Sequence, residues 1–269
     1  MTLALQGVWK AFALKHDVQQ VLRGVDLTVQ AGTFVSLTGH SGCGKSTLVN
    51  LVGGLSRPDA GTITLDGAPV VGPGPDRAMV FQNYSLLPRL SLVRNVRAAV
   101  GSARPQQAKG RSDEVTERYL SAVGLWEARD RKPHQASGGM LQRTAVARAF
   151  AVEPRVLLLD EPFAALDAFT RARLQAQLVD LWRSESDTEI VLMVTHGIDE
   201  AVFLSDRVVV MGAAPRPSIV EILEVSIPRP RDRVTHARVL EGAQAHLHSL
   251  LGDGKADDVG GQAGAGRVA

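Results

Sequence analysis

An α/β fold, with parallel strands and helices alternating around a phosphate-binding loop, is the class that this 269-residue sequence predicts. Three observations lead there. Gly39-His40-Ser41-Gly42-Cys43-Gly44-Lys45-Ser46-Thr47 has the spacing G-x-x-x-x-G-K-S and lies between a buried-strand pattern, Phe34 to Thr38, and a helix-compatible run, Thr47 to Val52. Arg155 to Asp160 and Ile190 to His196 are apolar runs ending in polar residues, as central strands covered on both faces do. Arg207 to Met211 is a third such run behind a helix candidate, Ile198 to Leu204, and that alternation implies a parallel sheet.

Taken in order, the chain opens with a β-rich section. Leu3 to Trp9, Asp26 to Gln30 and Thr62 to Leu65 are strand candidates, punctuated by Ala31-Gly32 and Asp66-Gly67 turns. From Ser91 to Phe150 the apolar spacing is mostly helical, including Val115 to Val123 and Leu141 to Phe150, which marks a helical insert over about 88–150. A helical extension is expected over about 231–251. The tail 252–269 is rich in Gly, Ala and Asp without a periodic apolar face and reads as disordered.

Composition narrows the field. Thirty Lys and Arg against 28 Asp and Glu leave a formal charge of +2, which argues against an extended nucleic-acid track. One cysteine, Cys43, excludes an internal disulfide framework and suggests a reducing, cytoplasmic setting. Met1 to Gln6 lack the pattern of a signal peptide, and no stretch approaches 18 uninterrupted apolar residues, so a membrane role would come through a partner.

The residue types in the loop answer to a triphosphate. Gly39, Gly42 and Gly44 permit backbone angles and close approach that a Cβ forbids, so successive N–H groups can converge on phosphate oxygens, aided by the positive end of the following helix. Lys45 can reach the β- and γ-phosphates, Ser46 suits Mg²⁺, and Thr47 can assist an α-phosphate. Ligands of open α/β sheets bind at the carboxyl ends of strands, which brings Asp160, Glu161 and His196 to the same place. There Asp160 would hold Mg²⁺ and Glu161 would orient and deprotonate the attacking water. His196 could donate to the γ-phosphate and Gln82 could join the metal and water shell; taken alone, either is equally an ordinary polar side chain. Ala136 to Arg143 precede Asp160 and form a second anion-binding helix start, with Ser137 as N-cap and Gly138 and Gly139 baring the first N–H groups.

Together these motifs resemble the ATP-binding subunits of ABC transporters. Gly39 to Thr47 resembles Walker A, Gln82 the Q-loop, Ser137-Gly138-Gly139-Met140 the signature motif, Val156 to Asp160 Walker B, Ala165-Leu166-Asp167 the D-loop, and His196 the H-loop. The resemblance implies a P-loop NTPase core spanning 1–251, with an N-terminal antiparallel β subdomain and an inserted α-helical subdomain. It also implies ATP and Mg²⁺ as ligands, with Ser46, Gln82 and Asp160 around the metal. A second ATP-binding subunit, identical or not, would pair head to tail so that each signature grips the partner's ATP. Phe12 matches the family's adenine-stacking aromatic, although a core role fits its strand end as well; Trp9 reads as packing.

Gly72 to Arg77, Val80 to Pro88 and Arg229 to Arg233 narrow the resemblance to the nitrate, sulfonate and taurine importer branch, nearest its nitrate, nitrite and cyanate members. That implies transmembrane permease subunits, indirectly a solute-binding protein, no nucleic acid, and a peripheral location on the cytoplasmic face of the membrane. Tyr84, Leu86, Leu87 and Pro88 lie where such chains receive a permease helix; local core is the alternative. Ala136, Arg89 and Gly197 depart from the family's usual Leu, Trp and Asp. Two other classes compete: an ABC-type ATPase acting on nucleic acid or ribosomes, and a small-molecule kinase or GTPase. The first lacks a coiled-coil insertion or tandem domain, and the second leaves the signature unexplained.

Overall fold

The computed structural model describes residues 1–13, 17–106, 109–214 and 216–252. Two sheets sandwich the first, short helix. The outer sheet is antiparallel, in the order β2-β1-β4-β5, from β1 (Thr2–Ala13), β2 (Val18–Gln30), β4 (Ala60–Leu65) and β5 (Ala68–Pro69). The central sheet has the order β10-β9-β3-β8-β7-β6, from β3 (Thr33–Gly39), β6 (Arg77–Val80), β7 (Val156–Asp160), β8 (Ile190–Val194), β9 (Arg207–Met211) and β10 (Ile219–Glu224). Its pairs are parallel except β9 with β10.

The apolar strands work because both their faces are covered. Along β7 and β8 alternate side chains point to opposite sides of the sheet. Leu157, Leu159, Val191 and Met193 enter one core with α2 (Leu92–Ala103), α3 (Lys109–Ala122), α4 (Gly138–Ala151) and α5 (Ala168–Asp180). Val156, Leu158, Ile190 and Leu192 enter a second core with α1 (Lys45–Val52) and the outer sheet, represented by Leu3, Leu5, Val25 and Ile63. A third, smaller core joins α6 (Ile198–Leu204), β9 and α7 (Ala237–Gly252).

Register sets the site. Leu37 of β3 and Asp160 of β7 are both level with Val194 of β8. The loop after β3, the carboxylates ending β7 and the turn after β8 therefore open on one edge.

Several expected elements differ in extent. β1 and β2 run well beyond Leu3–Trp9 and Asp26–Gln30, because pairing extends through bulges near Gly7 and Gly24 that break the alternation of the sequence. The C-terminal helix begins at Ala237, not near 231: Arg231, its side chain 2% exposed, donates to the carbonyls of Val202, Phe203 and Ser205, and Asp232 takes the N–H groups of Val234 and Thr235 in a turn. Burial pushes the Arg231 guanidinium down to about 10. Of the tail expected to be disordered, Gly252 ends α7 and the rest lies outside the described residues.

Candidate nucleotide site

β3 delivers the loop, and close packing beneath it explains two of its glycines. Gly39 and Gly44 have φ of 153° and 99°. A Cβ on Gly39 would stand 2.4 Å from the Met211 carbonyl oxygen, and one on Gly44 would stand 2.7 Å from Leu22 Cδ2. The Lys45 ammonium is buried and donates to the Gly39 and His40 carbonyls at 2.8 and 2.9 Å. Cys43 is 1% exposed, and burial pushes its thiol up, against the nearby Lys45 charge.

Opposite the loop, the Ser46 hydroxyl donates to Asp160 Oδ1 at 3.0 Å. Burial pushes the Asp160 carboxyl up; the Ser46 hydrogen bond opposes the rise and the Glu161 charge adds to it. Glu161 holds a left-handed backbone, φ 48°, and its N–H donates to the Val194 carbonyl at 3.0 Å. That is strained for a non-glycine residue, as functional positions often are. Its Oε1 lies 3.0 Å from His196 Nε2, and Gln82 Nε2 donates to its Oε2 at 3.4 Å.

Beside these groups is a cleft of 340 Å³ lined by Phe12, Gln19, Val21, Ser41, Gly42, Gly44, Lys45, Ser46, Thr47, Glu161 and His196; Gly39, His40, Cys43, Asp160 and Gln82 do not line it, and Asp160 and Gln82 reach it through Ser46 and Glu161. Phe12 is 44% exposed on its wall and is not core, while Trp9 lies over Gly24. Gln19 and Val21 escape sequence reading because nothing in a β hairpin marks which residues line a cleft.

The structure does not bring the second anion-binding end to this cleft. Ser137 caps α4 by accepting the Met140 N–H at 3.3 Å; Ser137 and Gly138 are exposed, Gly139 and Met140 half-buried, and none of the four lines the cleft. Behind them, a Cβ on Gly139 would meet Thr170 at 2.9 Å. Asp167 caps α5 by accepting from Phe169 and Thr170, and the Thr170 bonds hold its carboxyl below the usual range.

A larger cavity, 690 Å³, separates Met79, Phe81 and Leu87 from Ala98 and Ala99 of α2 and Arg148 of α4. Tyr84 and Leu86 pack on the core, whereas Leu87 is 51% exposed and Pro88 is exposed. Asn95 shapes this rim, accepting the Leu87 N–H and donating to the carbonyls of Leu87, Leu90 and Ser91. On the far side of His196, buried Glu200 accepts from the Thr195 hydroxyl at 2.6 Å. Gly197 fits beside it, since a Cβ there would stand 3.0 Å from the Glu200 side chain. Asn95, Arg148 and Glu200 carry no motif; their partners come only with the fold. Ala136 is half-buried and Arg89 exposed, and nothing in the structure explains either choice.

A glycine-opened phosphate loop, its buried lysine and a Glu–His–Gln cluster at the ends of parallel strands define a P-loop nucleotide hydrolase. The chain belongs to the ABC transporter family, whose model matches residues 22–164, and it is an ABC-type ATPase. It is 50% identical over 226 residues, 84% of this chain and 82% of the other, to the nitrate import ATP-binding protein NrtD of Synechococcus elongatus. It is 48% identical over 242 residues, 90% of this chain and 85% of the other, to the bicarbonate transport ATP-binding protein CmpD of the same organism. Among solved structures, the dimeric post-hydrolysis state of the ATP-binding cassette MJ0796, bound to ADP and Pi, superposes with a TM-score of 0.74 at 28% identity, covering 84% of this chain and 100% of that one.

Proposed function

We propose that this chain hydrolyses ATP to energise an importer of a small planar oxyanion, nitrate or a close relative, as one half of a head-to-tail pair of cassettes beneath transmembrane permease subunits. The observation that carries the reading is the division of the site: the loop, Glu161 and His196 meet in one cleft, with Asp160 bonded to Ser46 on its wall, while the signature helix start faces outward. A twofold pair brings each outward face to its neighbour's cleft.

In that pair the loop N–H groups of residues 39–47 and Lys45 hold the β- and γ-phosphates, Thr47 meets the α-phosphate, and Phe12 stacks on the adenine. Ser46 and Asp160, 3.0 Å apart, would hold Mg²⁺ with Gln82, since that ion prefers oxygen ligands, keeps several waters and shares the phosphates. When bound, the ion neutralises charge on the phosphate oxygens. Glu161 orients a water and takes its proton, and His196 donates toward the γ-phosphate. The partner's Ser137 and the N–H groups of its helix stabilise the developing charge, and Asp167 lies beside that seam. Closure favoured by ATP and lost after hydrolysis moves the permease.

The 690 Å³ groove beside Leu87 receives a permease helix, which keeps this chain on the cytoplasmic face of the membrane, with a solute-binding protein acting through the permease. Among the described residues no helix is long and apolar enough to cross a membrane. Leu87→Glu is expected to abolish transport and spare basal hydrolysis; transport that survives it removes the groove from the reading. The names of the relatives favour nitrate and bicarbonate, both planar, over tetrahedral sulfonates. ATPase assays of the chain reconstituted with its permease and binding protein decide: nitrate or bicarbonate should stimulate turnover, and stimulation by taurine or alkyl sulfonates alone would overturn the solute class.

A further inference from the structure

We propose that Arg148 is a positioning residue: it holds the turn after Gln82 in a strained left-handed form and ties that turn to the signature helix. Tyr84 and Ser85 are consecutive non-glycine residues with φ of 62° and 48°. Two such angles in succession are unfavourable for residues carrying a Cβ and persist only where surrounding contacts over-determine them. Arg148, on α4, donates to the Ser85 carbonyl at 2.6 Å and to the Tyr84 carbonyl at 2.9 Å, across more than 60 residues of sequence. Among the described residues, the local bonds of the turn are the Tyr84 N–H on the Phe81 carbonyl and those of Ser85 to Asn83.

The cation depends on the turn as much as the turn on the cation. Among the described residues no carboxylate pairs with Arg148, and burial pushes its guanidinium down from the ordinary value. A partly buried guanidinium without a carboxylate needs its N–H groups bonded. The two carbonyls converge on it because both residues are left-handed.

Tyr84 closes the link from the other side. Its hydroxyl lies 3.4 Å from where a Cβ on Gly138 would stand, so the first residue of α4 touches the same turn that Arg148 grips further along the helix. A displacement of α4 at the signature must then carry the turn and, two residues before Tyr84, Gln82, whose amide reaches Glu161 at 3.4 Å. This rests on the reading of Gln82 as part of the ATP shell.

Steady-state ATPase kinetics of the full-length chain in complex with its permease test it. Arg148→Ala should lower kcat about tenfold, with KM for ATP changed less than about twofold, because misplacement costs rate while the phosphate loop still binds. Arg148→Lys should behave nearly as Arg148→Ala, since a single ammonium lacks the planar fork that spans both carbonyls. Ser85→Gly alone should stay near wild type, and added to Arg148→Ala it should recover about threefold, because glycine adopts the left-handed angle unaided. Thermal melts accompany each variant; if Arg148→Ala does not fold, Arg148→Lys with and without Ser85→Gly supplies the same contrast. Wild-type kcat in Arg148→Ala, or no recovery in the double variant, overturns the proposal. Full turnover in Gln82→Ala would instead remove Gln82 from the site, and with it the link drawn here; a slow Gln82→Ala beside a fast Arg148→Ala overturns the positioning role alone.

Discussion

Around the loop of residues 39–47 the groups placed to meet phosphate and metal already have partners inside the chain: Lys45 on two carbonyls, Ser46 on Asp160, Glu161 on His196 and Gln82. At the start of α4 the Ser137 hydroxyl accepts the third N–H of its own helix, and Ser137 stands exposed beside Gly138. One end is preorganised and sheltered; the other is a donor set facing solvent, where its dipole is weakened by water. The difference teaches that a chain can carry both halves of a hydrolytic site and still hold only one site's worth of assembled chemistry. Under the proposed pairing, hydrolysis depends on two chains meeting, which would make the reaction controllable by whatever moves two cassettes together.

The largest expected effect tests the sheltered end. Glu161→Gln should bind ATP as wild type does yet cut turnover by roughly 10²-fold or more, the scale for losing a general base. In ATP it should also accumulate as a closed pair, seen by light scattering. Near-normal hydrolysis would deny Glu161 its role, and a strictly single chain, in solution and on its permease alike, would deny the pair.

A mixing experiment breaks or sharpens the contrast between the ends directly. Chains carrying Lys45→Ala and chains carrying Ser137→Arg should each be inactive as pure pairs. In a mixed pair built head to tail, one site collects both defects and the other collects none. Random exchange of the two chains should therefore restore roughly a quarter of wild-type sites. No recovery on mixing would mean that loop and signature act within one chain. A milder probe follows: Ser137→Ala removes the cap, at a cost of about 1 kcal/mol to the helix, and should slow turnover by about tenfold or more while leaving ATP binding to the single chain unchanged.

The same contrast governs what the amino-acid sequence discloses. The bounds of β7, β8 and β9 match their apolar runs nearly residue for residue, because strands buried on both faces admit little else. β6 and β10, at opposite edges of the central sheet, have mostly half-buried side chains, and their mixed polarity hides them. Lys45, Asp160, Glu161 and Ser137 were legible because phosphate chemistry demands those residue types at those spacings. Arg148, Asn95 and Glu200 were not, since each binds partners that only the fold brings near, Arg148 most of all. Phe12 was ambiguous in sequence for the opposite reason: aromatic residues at strand ends are commonly buried, and only the fold shows that it stands on the cleft wall and outside the core.

The smallest effect concerns stability and separates the sheltered end from an ordinary surface. Asp160 has its carboxyl pushed up by burial in the nucleotide-free chain. A carboxyl whose pKa is raised on folding contributes stability that is complete below its unfolded value, about 3.9, and is lost as pH rises through the folded value. At pH 7 the charged Asp160 is therefore a cost to the free fold. Asp160→Asn, which keeps an oxygen to accept from Ser46, should melt higher than wild type at pH 7, and the gap should close as pH falls below the carboxylate range. With saturating MgATP the order should reverse, because the wild-type chain gains the ligand's binding energy and the variant has lost a metal ligand. A variant that melts lower than wild type at pH 7 without nucleotide would show that Asp160 stabilises the fold, and that the loop end is not held at the expense of stability.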